Sequence, residues 1–192
     1  MDVKEAIETR RAYRALEPVE IDDYIIHELA TAAQLTASCY NNQPWRFVFA
    51  RSMEALARMQ GCMNKGNEWT SRASLIIAAM ARKDDDCLIR EREYYLFDLG
   101  QAVSAMILRA TELGLVAHPI AGFSPEKVRQ AFNIPDNFMV ITLINVGKKS
   151  DDTALLSEWQ QNTEPRRPHR LPLANIYSVD SFDEKLNVKA ER

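Results

Sequence analysis

Apolar and polar positions along the chain change period several times, and each change marks an element. Residues 2–14 place Val3, Ala6, Ile7 and, weakly, Ala12 amid charge, the narrow stripe of a short helix. Asp22 and Asp23 then read as a helix start, and Ile25, Ile26, Leu29, Ala30, Ala32 and Ala33 form a broad apolar face to about Leu35. RFVFAR, 46–51, is short and β-rich, and Ser52 is placed to cap a helix running to about Cys62. SLIIAAMA, 74–81, is an unbroken apolar run of strand length, as an interior strand covered on both faces requires. RKDDD, 82–86, reads as a solvated turn with no chemistry.

From Glu91 to Leu113 the pattern is helical and apolar on more than one face, through Leu96, Phe97, Leu99, Val103, Met106, Ile107, Leu108 and Ala110. Such a helix needs burial on several sides, at the centre of the fold, in a dimer interface, or both. Gly114 sits where a C-cap glycine belongs, SPEKVRQAF reads as cap, proline and short helix, and FMVITLINVG is the clearest strand. After Gly147 the character changes: residues 148–192 hold 14 hydrophobic residues among 45, against 46% for the whole chain. They cannot build a core of their own, so they form a loose tail or an arm. LPLANIYSV, with apolar residues spaced through a β-compatible stretch, favours the arm. The chain is expected to be a single domain, 1–192, with 148–192 as this extended arm.

A net charge of −3 gives no basic field, so neither nucleic acid nor an anionic membrane is an expected partner, and any anion site must be local. No stretch of about 18 apolar residues occurs and the N-terminal residues lack an apolar core, so neither membrane spanning nor secretion is expected. Cys39, Cys62 and Cys87 are odd in number, widely spaced and without nearby histidines at ligand spacing. Neither a disulfide framework nor a metal site is indicated, and a reducing, cytoplasmic setting is expected.

Three clusters could carry chemistry. Arg10, Arg11 and Arg14, at helical spacing, repel one another unless an anion or nearby glutamates neutralise them. Arg166, Arg167, His169 and Arg170 form a second basic group, and an arm that folded back would let both share one phosphate. Asn41, Asn42 and Gln43, before Pro44 and Trp45, are either turn residues or paired donors and acceptors for a planar heterocycle. LGLVAHPIAGF, 113–123, puts glycine and proline at a junction of helix and turn, where backbone can approach a flat ligand. His118 lies there and is either structural or a proton donor. No GxGxxG, P-loop, GxSxG or HExxH occurs.

In this order, IETRRAYRAL, ASCYNNQPWRFVF, ELGLVAHPIAGF and RLPLANIY resemble the FMN-dependent nitroreductase family, from about residue 5 to residue 178. The resemblance implies an α+β fold, with a mixed, mostly antiparallel sheet flanked by helices, in an intertwined homodimer whose flavin sites lie at the subunit interface. It implies that Arg10, Arg11 and Arg14 hold the FMN phosphate and ribityl chain, joined by Arg170. Ser38, Cys39, Asn41 and Gln43 would contact the partner subunit's flavin, and Pro119, Ile120, Ala121 and Gly122 would lie along its ring. Asn67 is a further candidate contact. The pattern departs at Ala12, where the family carries a hydroxyl residue, and at Ala37-Ser38, where it often has Pro-Ser.

The implied activity is two-electron transfer from NADH or NADPH through FMN to a small planar acceptor, a nitroaromatic or quinone, in a ping-pong cycle. The cofactor carries the hard chemistry, so no catalytic side chain is assigned. The alternatives are a non-catalytic flavin-binding sensor or carrier, or the same fold with enone reduction, dehalogenation or flavin cleavage.

Overall fold

In the computed structural model, which describes residues 1–190, the chain runs α1 (Val3–Thr9), β1 (Leu16–Glu17), α2 (Asp23–Gln34), β2 (Trp45–Ala50), α3 (Met53–Gln60), β3 (Leu75–Ala81), β4 (Leu88–Ile89), β5 (Arg92–Glu93), α4 (Tyr94–Glu112), β6 (Val116–Ile120), α5 (Pro125–Ala131), β7 (Met139–Lys149) and α6 (Glu158–Thr163). Strand β7 is the hub. Its early part pairs with β3, its middle also with β6, and Lys148 and Lys149 with β1, while β2 extends the sheet beyond β3. Every pairing among the described residues is antiparallel, with β4 and β5 forming a separate ribbon.

The sheet is covered on both faces, which is why β3 carries no polar residue. All seven of its side chains are buried and they alternate between two apolar clusters. Ile76, Ala78 and Met80 pack with Met59, Trp69, Phe123 and Leu143; Leu75, Ile77 and Ala79 pack with Leu29, Leu99, Met106 and Ile144. Each large apolar side chain removed from water stabilises the fold by about 1.5–3 kcal/mol. Helices α2 and α4 pack together on the second cluster, and Ser52, Asp22 and Ser124 cap α3, α2 and α5 with hydrogen bonds to backbone N–H groups.

Four expectations change. Helix α1 stops at Thr9, and Arg10 onward is extended, so the arginines are not on a helix. The junction at 113–123 contains a strand, β6; it pairs only with β7, and an edge strand tolerates Pro119 because its missing N–H has no ladder partner to lose. LPLANIYSV forms no strand but a short turn at Leu173–Asn175. The region after Gly147 begins as strand to Lys149 and includes α6, and positions 191–192 of the expected arm lie outside the described residues. Among the described residues no helix is long and apolar enough to cross a membrane.

Candidate functional site

Residues 10–15 run extended from the end of α1 to β1, and the chain beyond α6 folds back against them. Arg11 donates to the carbonyls of Glu164 (2.7 Å), Arg166 (2.6 Å) and Pro165 (3.2 Å), with its guanidinium 4.4 Å from the Tyr13 ring centre. Arg167 donates in return to the carbonyls of Glu8 and Arg10 (2.9 Å). The buried Glu164 carboxylate accepts the backbone N–H groups of Arg14 (2.6 Å) and Ala15 (2.9 Å). Its second oxygen lies 3.9 Å from the Arg14 guanidinium, which also covers Trp159 at 5.3 Å. The two basic clusters therefore meet.

Between them lies a cavity of about 610 Å³, lined by Arg10, Arg11, Arg14, Arg166, Arg167 and Arg170, with His118, His169 and Trp159, and with Glu164 as its one acid. Several of these cations already bind backbone carbonyls. Arg10 does not: among the described residues no acceptor engages its guanidinium. Burial pushes its pKa below the ordinary arginine value, and the charges of Arg167 and Arg170 push it further. A cation cluster of this kind is completed by an anion presenting several oxygens.

His118 forms the cavity's inner wall, 7% exposed, on β6. Its Nδ1 lies 2.9 Å from the Tyr13 carbonyl, which fixes the proton on that nitrogen and leaves Nε2 as an acceptor. The ring stacks at 4.8 Å on Trp69. Burial pushes its pKa down to about 4, helped by Arg14 and opposed by the Tyr13 carbonyl and Glu164, so the imidazole is neutral at pH 7. Just beyond, Asn67 donates to the Gly122 carbonyl at 2.9 Å, and a Cβ at position 122 would sit 2.4 Å from the Asn67 Nδ2. Only glycine allows that approach. Asn67 therefore holds the chain leaving β6 in place at Gly122.

The amide segment lies elsewhere. Ser38 Oγ accepts the Gln43 N–H at 3.0 Å, Asp98 accepts the Cys39 N–H at 2.7 Å, and Asn42 donates to Asp86 at 3.2 Å. Tyr40, Asn41 and Gln43 have φ of 48°, 59° and 49°, a left-handed backbone that costs energy in residues other than glycine. Against expectation, Cys39 and Cys87 are disulfide-bonded across 48 residues, with Cys62 left free and buried. Their spacing carries no sign of this because the antiparallel pairing of β2 with β3, which sets Trp45 opposite Ala81, brings them together.

The amide segment precedes Trp45, whose partner Ala81 lies opposite Met139; the arginine segment precedes Leu16, opposite Lys149. At roughly 3.4 Å per residue, the length of β7 puts these clusters about 30 Å apart in one chain. Arg10, Arg11, Arg14 and Arg170 come together; Ser38, Cys39, Asn41 and Gln43 do not join them. Glu164 and Trp159, central to the cavity, escaped sequence reading, although Ser157-x-x-Gln160 has the spacing of the capping box that starts α6.

Residues 7–68 and 61–148 match the model of the nitroreductase family. A stretch of 126 residues is 31% identical to an uncharacterized 15.4 kDa protein of Mycolicibacterium smegmatis, covering 64% of this chain and 81% of that one. A protein of Archaeoglobus fulgidus provisionally named NADH dehydrogenase/NAD(P)H nitroreductase is 26% identical over 168 residues, 85% of this chain and 94% of the relative. The solved structure of an oxidoreductase containing FMN superposes with a TM-score of 0.80 at 25% identity, covering 95% of this chain and 94% of that one.

Proposed function

The chain belongs to the nitroreductase family, and from that premise we propose that it is an FMN-dependent NAD(P)H oxidoreductase acting as a homodimer. The observation that carries the reading is the convergence of Arg10, Arg14 and Arg170 on one cavity, with the Arg10 guanidinium in its wall engaged by no acceptor among the described residues. The residues fit the cofactor. The arginines suit a phosphate, the neutral His118 Nε2 suits a hydroxyl donor, and the Pro119–Gly122 backbone, braced by Asn67, suits a flat ring. FMN, when bound, supplies the two-electron chemistry, taking a hydride from NADH or NADPH and reducing a planar acceptor such as a nitroaromatic or quinone in a ping-pong cycle.

The protein's own residues bind, orient and exclude water. Arg10 and Arg170 hold the phosphate, Arg11 and Glu164 keep the C-terminal stretch closed over it, and Asn67 fixes the ring-side turn. Ser38, Cys39, Asn41 and Gln43 serve the site of a second copy. The separation along β7 supports that assignment, as do the exposed apolar side chains of Phe97 (62%) and Val179 (72%), which a partner surface would cover. Purified protein should be yellow or take up added FMN, bleach on adding NADH or NADPH without oxygen, and recover with a quinone or nitroaromatic. A colourless protein that takes up no FMN rejects the reading.

A further inference from the structure

The Cys39–Cys87 bridge joins two segments outside the main sheet: the turn at 38–43 and the loop after β3. Its surroundings are acidic and incompletely satisfied. A carboxylate oxygen of Asp86 and both sulfurs lie within 4.8 Å of one another. Asp86 Oδ1 accepts from Asn42 Nδ2 and from the Cys87 N–H at 2.8 Å, whereas Asp86 Oδ2 is buried without a hydrogen-bond partner. Asp98 is 1% exposed and accepts the Cys39 N–H on the other side. Burial holds the Asp98 carboxyl above its usual range, and the nearby Asp86 raises it further against the pull of the Cys39 N–H.

A permanent cross-link has no need of a carboxyl pair beside it. The closed bridge presents no donor to the Asp86 carboxylate, whereas two thiols would bring S–H groups near one of its oxygens, beside the hydrogen bond it shares with Asp98. The surroundings thus favour the open state more than an apolar setting would. The turn held by the bridge is also the one with left-handed Tyr40, Asn41 and Gln43, a backbone that persists only while its tethers hold.

We propose that Cys39–Cys87 is an exchangeable disulfide, opened by a dithiol reductant, and that its opening releases the Ser38–Gln43 turn. A thiolate of the reductant attacks one sulfur, forming a mixed disulfide and breaking the S–S bond. The departing cysteine thiolate takes up, through solvent, the proton lost by the attacking thiol. The reductant's second thiol then resolves the mixed disulfide, leaving two cysteine thiols and one oxidised dithiol. That release loosens flavin held by a second copy, a consequence that rests on the proposed function.

The test equilibrates the full chain, with FMN added, in dithiothreitol buffers of varied reduced-to-oxidised ratio. Acid quenching, unfolding and alkylation then let mass spectrometry read each cysteine, with free Cys62 labelled throughout as the internal standard. Cys39 and Cys87 should gain label together as the ratio rises while the protein stays folded, and hydrogen exchange should rise across 38–43. FMN release should accelerate about tenfold, the scale of one lost net hydrogen bond, and the double variant Cys39→Ser/Cys87→Ser should release it fast at every ratio. A bridge that stays closed until the protein unfolds, cysteines labelled even in fully oxidised buffer, or unchanged hydrogen exchange at 38–43 overturns the proposal. If the chain binds no FMN, the functional reading falls, while labelling and hydrogen exchange still decide this one.

Discussion

At the Lys149 end of β7, six guanidiniums surround a cavity that holds one carboxylate. Near the Met139 end, side-chain amides and three left-handed residues surround buried Asp98, half-buried Asp86 and a disulfide. The first end has surplus positive charge. The second has polar groups braced against one another, among them the Gln43 amide, which donates to the Asn41 carbonyl at 3.2 Å. On the proposed reading each end is half of a site for a ligand that is anionic at one pole and flat at the other, and the length of β7 keeps the halves of one chain apart.

Acid should separate the two ends most strongly. His118 has its pKa pushed down to about 4 from 6.5 in the fold, so the unfolded chain binds the proton better between those values. Stability should fall as pH drops from about 6.5 to about 4, by about 3 kcal/mol in all. Asp98 has the opposite sign: its raised pKa contributes stability below the unfolded carboxylate range, lost as pH rises through the folded value. Urea titrations from pH 4 to 7 should show the His118 slope vanish in His118→Gln and persist in Asp98→Asn. A slope that survives His118→Gln would move the charge sensitivity away from the arginine end.

Arg10→Ala should weaken FMN retention by about 1.5–3 kcal/mol, a lost charge-assisted hydrogen bond, with no loss of melting temperature because Arg167 and Arg170 lose a like-charged neighbour. Arg14→Ala should weaken FMN retention to a similar degree and lower the melting temperature as well, since Arg14 also faces Glu164 and Trp159. Equal melting losses in the two variants would erase the distinction between a ligand-facing and a fold-holding arginine.

Gln43→Ala should cost about 1 kcal/mol of FMN affinity, the net worth of an ordinary hydrogen bond. Its sharper use is in mixtures. If each site draws arginines from one copy and amides from the other, unfolding and refolding equal parts of Arg10→Ala and Gln43→Ala chains should restore wild-type affinity at about a quarter of sites, the fraction random C2 pairing predicts. No restoration, measured by FMN titration, would place both halves in one chain.

The sheet and its helices were legible because burial imposes a period on sequence. β3 lies within an unbroken apolar run, α4 falls inside the span its pattern marks, and β7 overruns its span by two residues, to Lys149. The end of α1 was not legible: no glycine or proline follows Thr9, and what stops the helix is distant, Arg11 reaching the carbonyls of 164–166. β6 was hidden by Pro119, which reads as a break although an edge strand accepts it. At the site, the arginines were found by type, but only the fold could pair them with Glu164, and only the fold could show that Cys39 meets Cys87.

The contacts of Arg11 carry a consequence for how the protein is made. Its partners lie 153 to 155 positions further along, so a chain leaving the ribosome can assemble β2, β3 and β7 before any anion cavity exists. Throughout synthesis the Arg10–Arg14 stretch has no closing strap, and a nascent or C-terminally clipped chain carries a formed sheet with an open, basic flank. A flavin held by these arginines would be loaded only after synthesis, and proteolysis between Lys149 and Arg166 should yield a folded protein that does not retain added FMN.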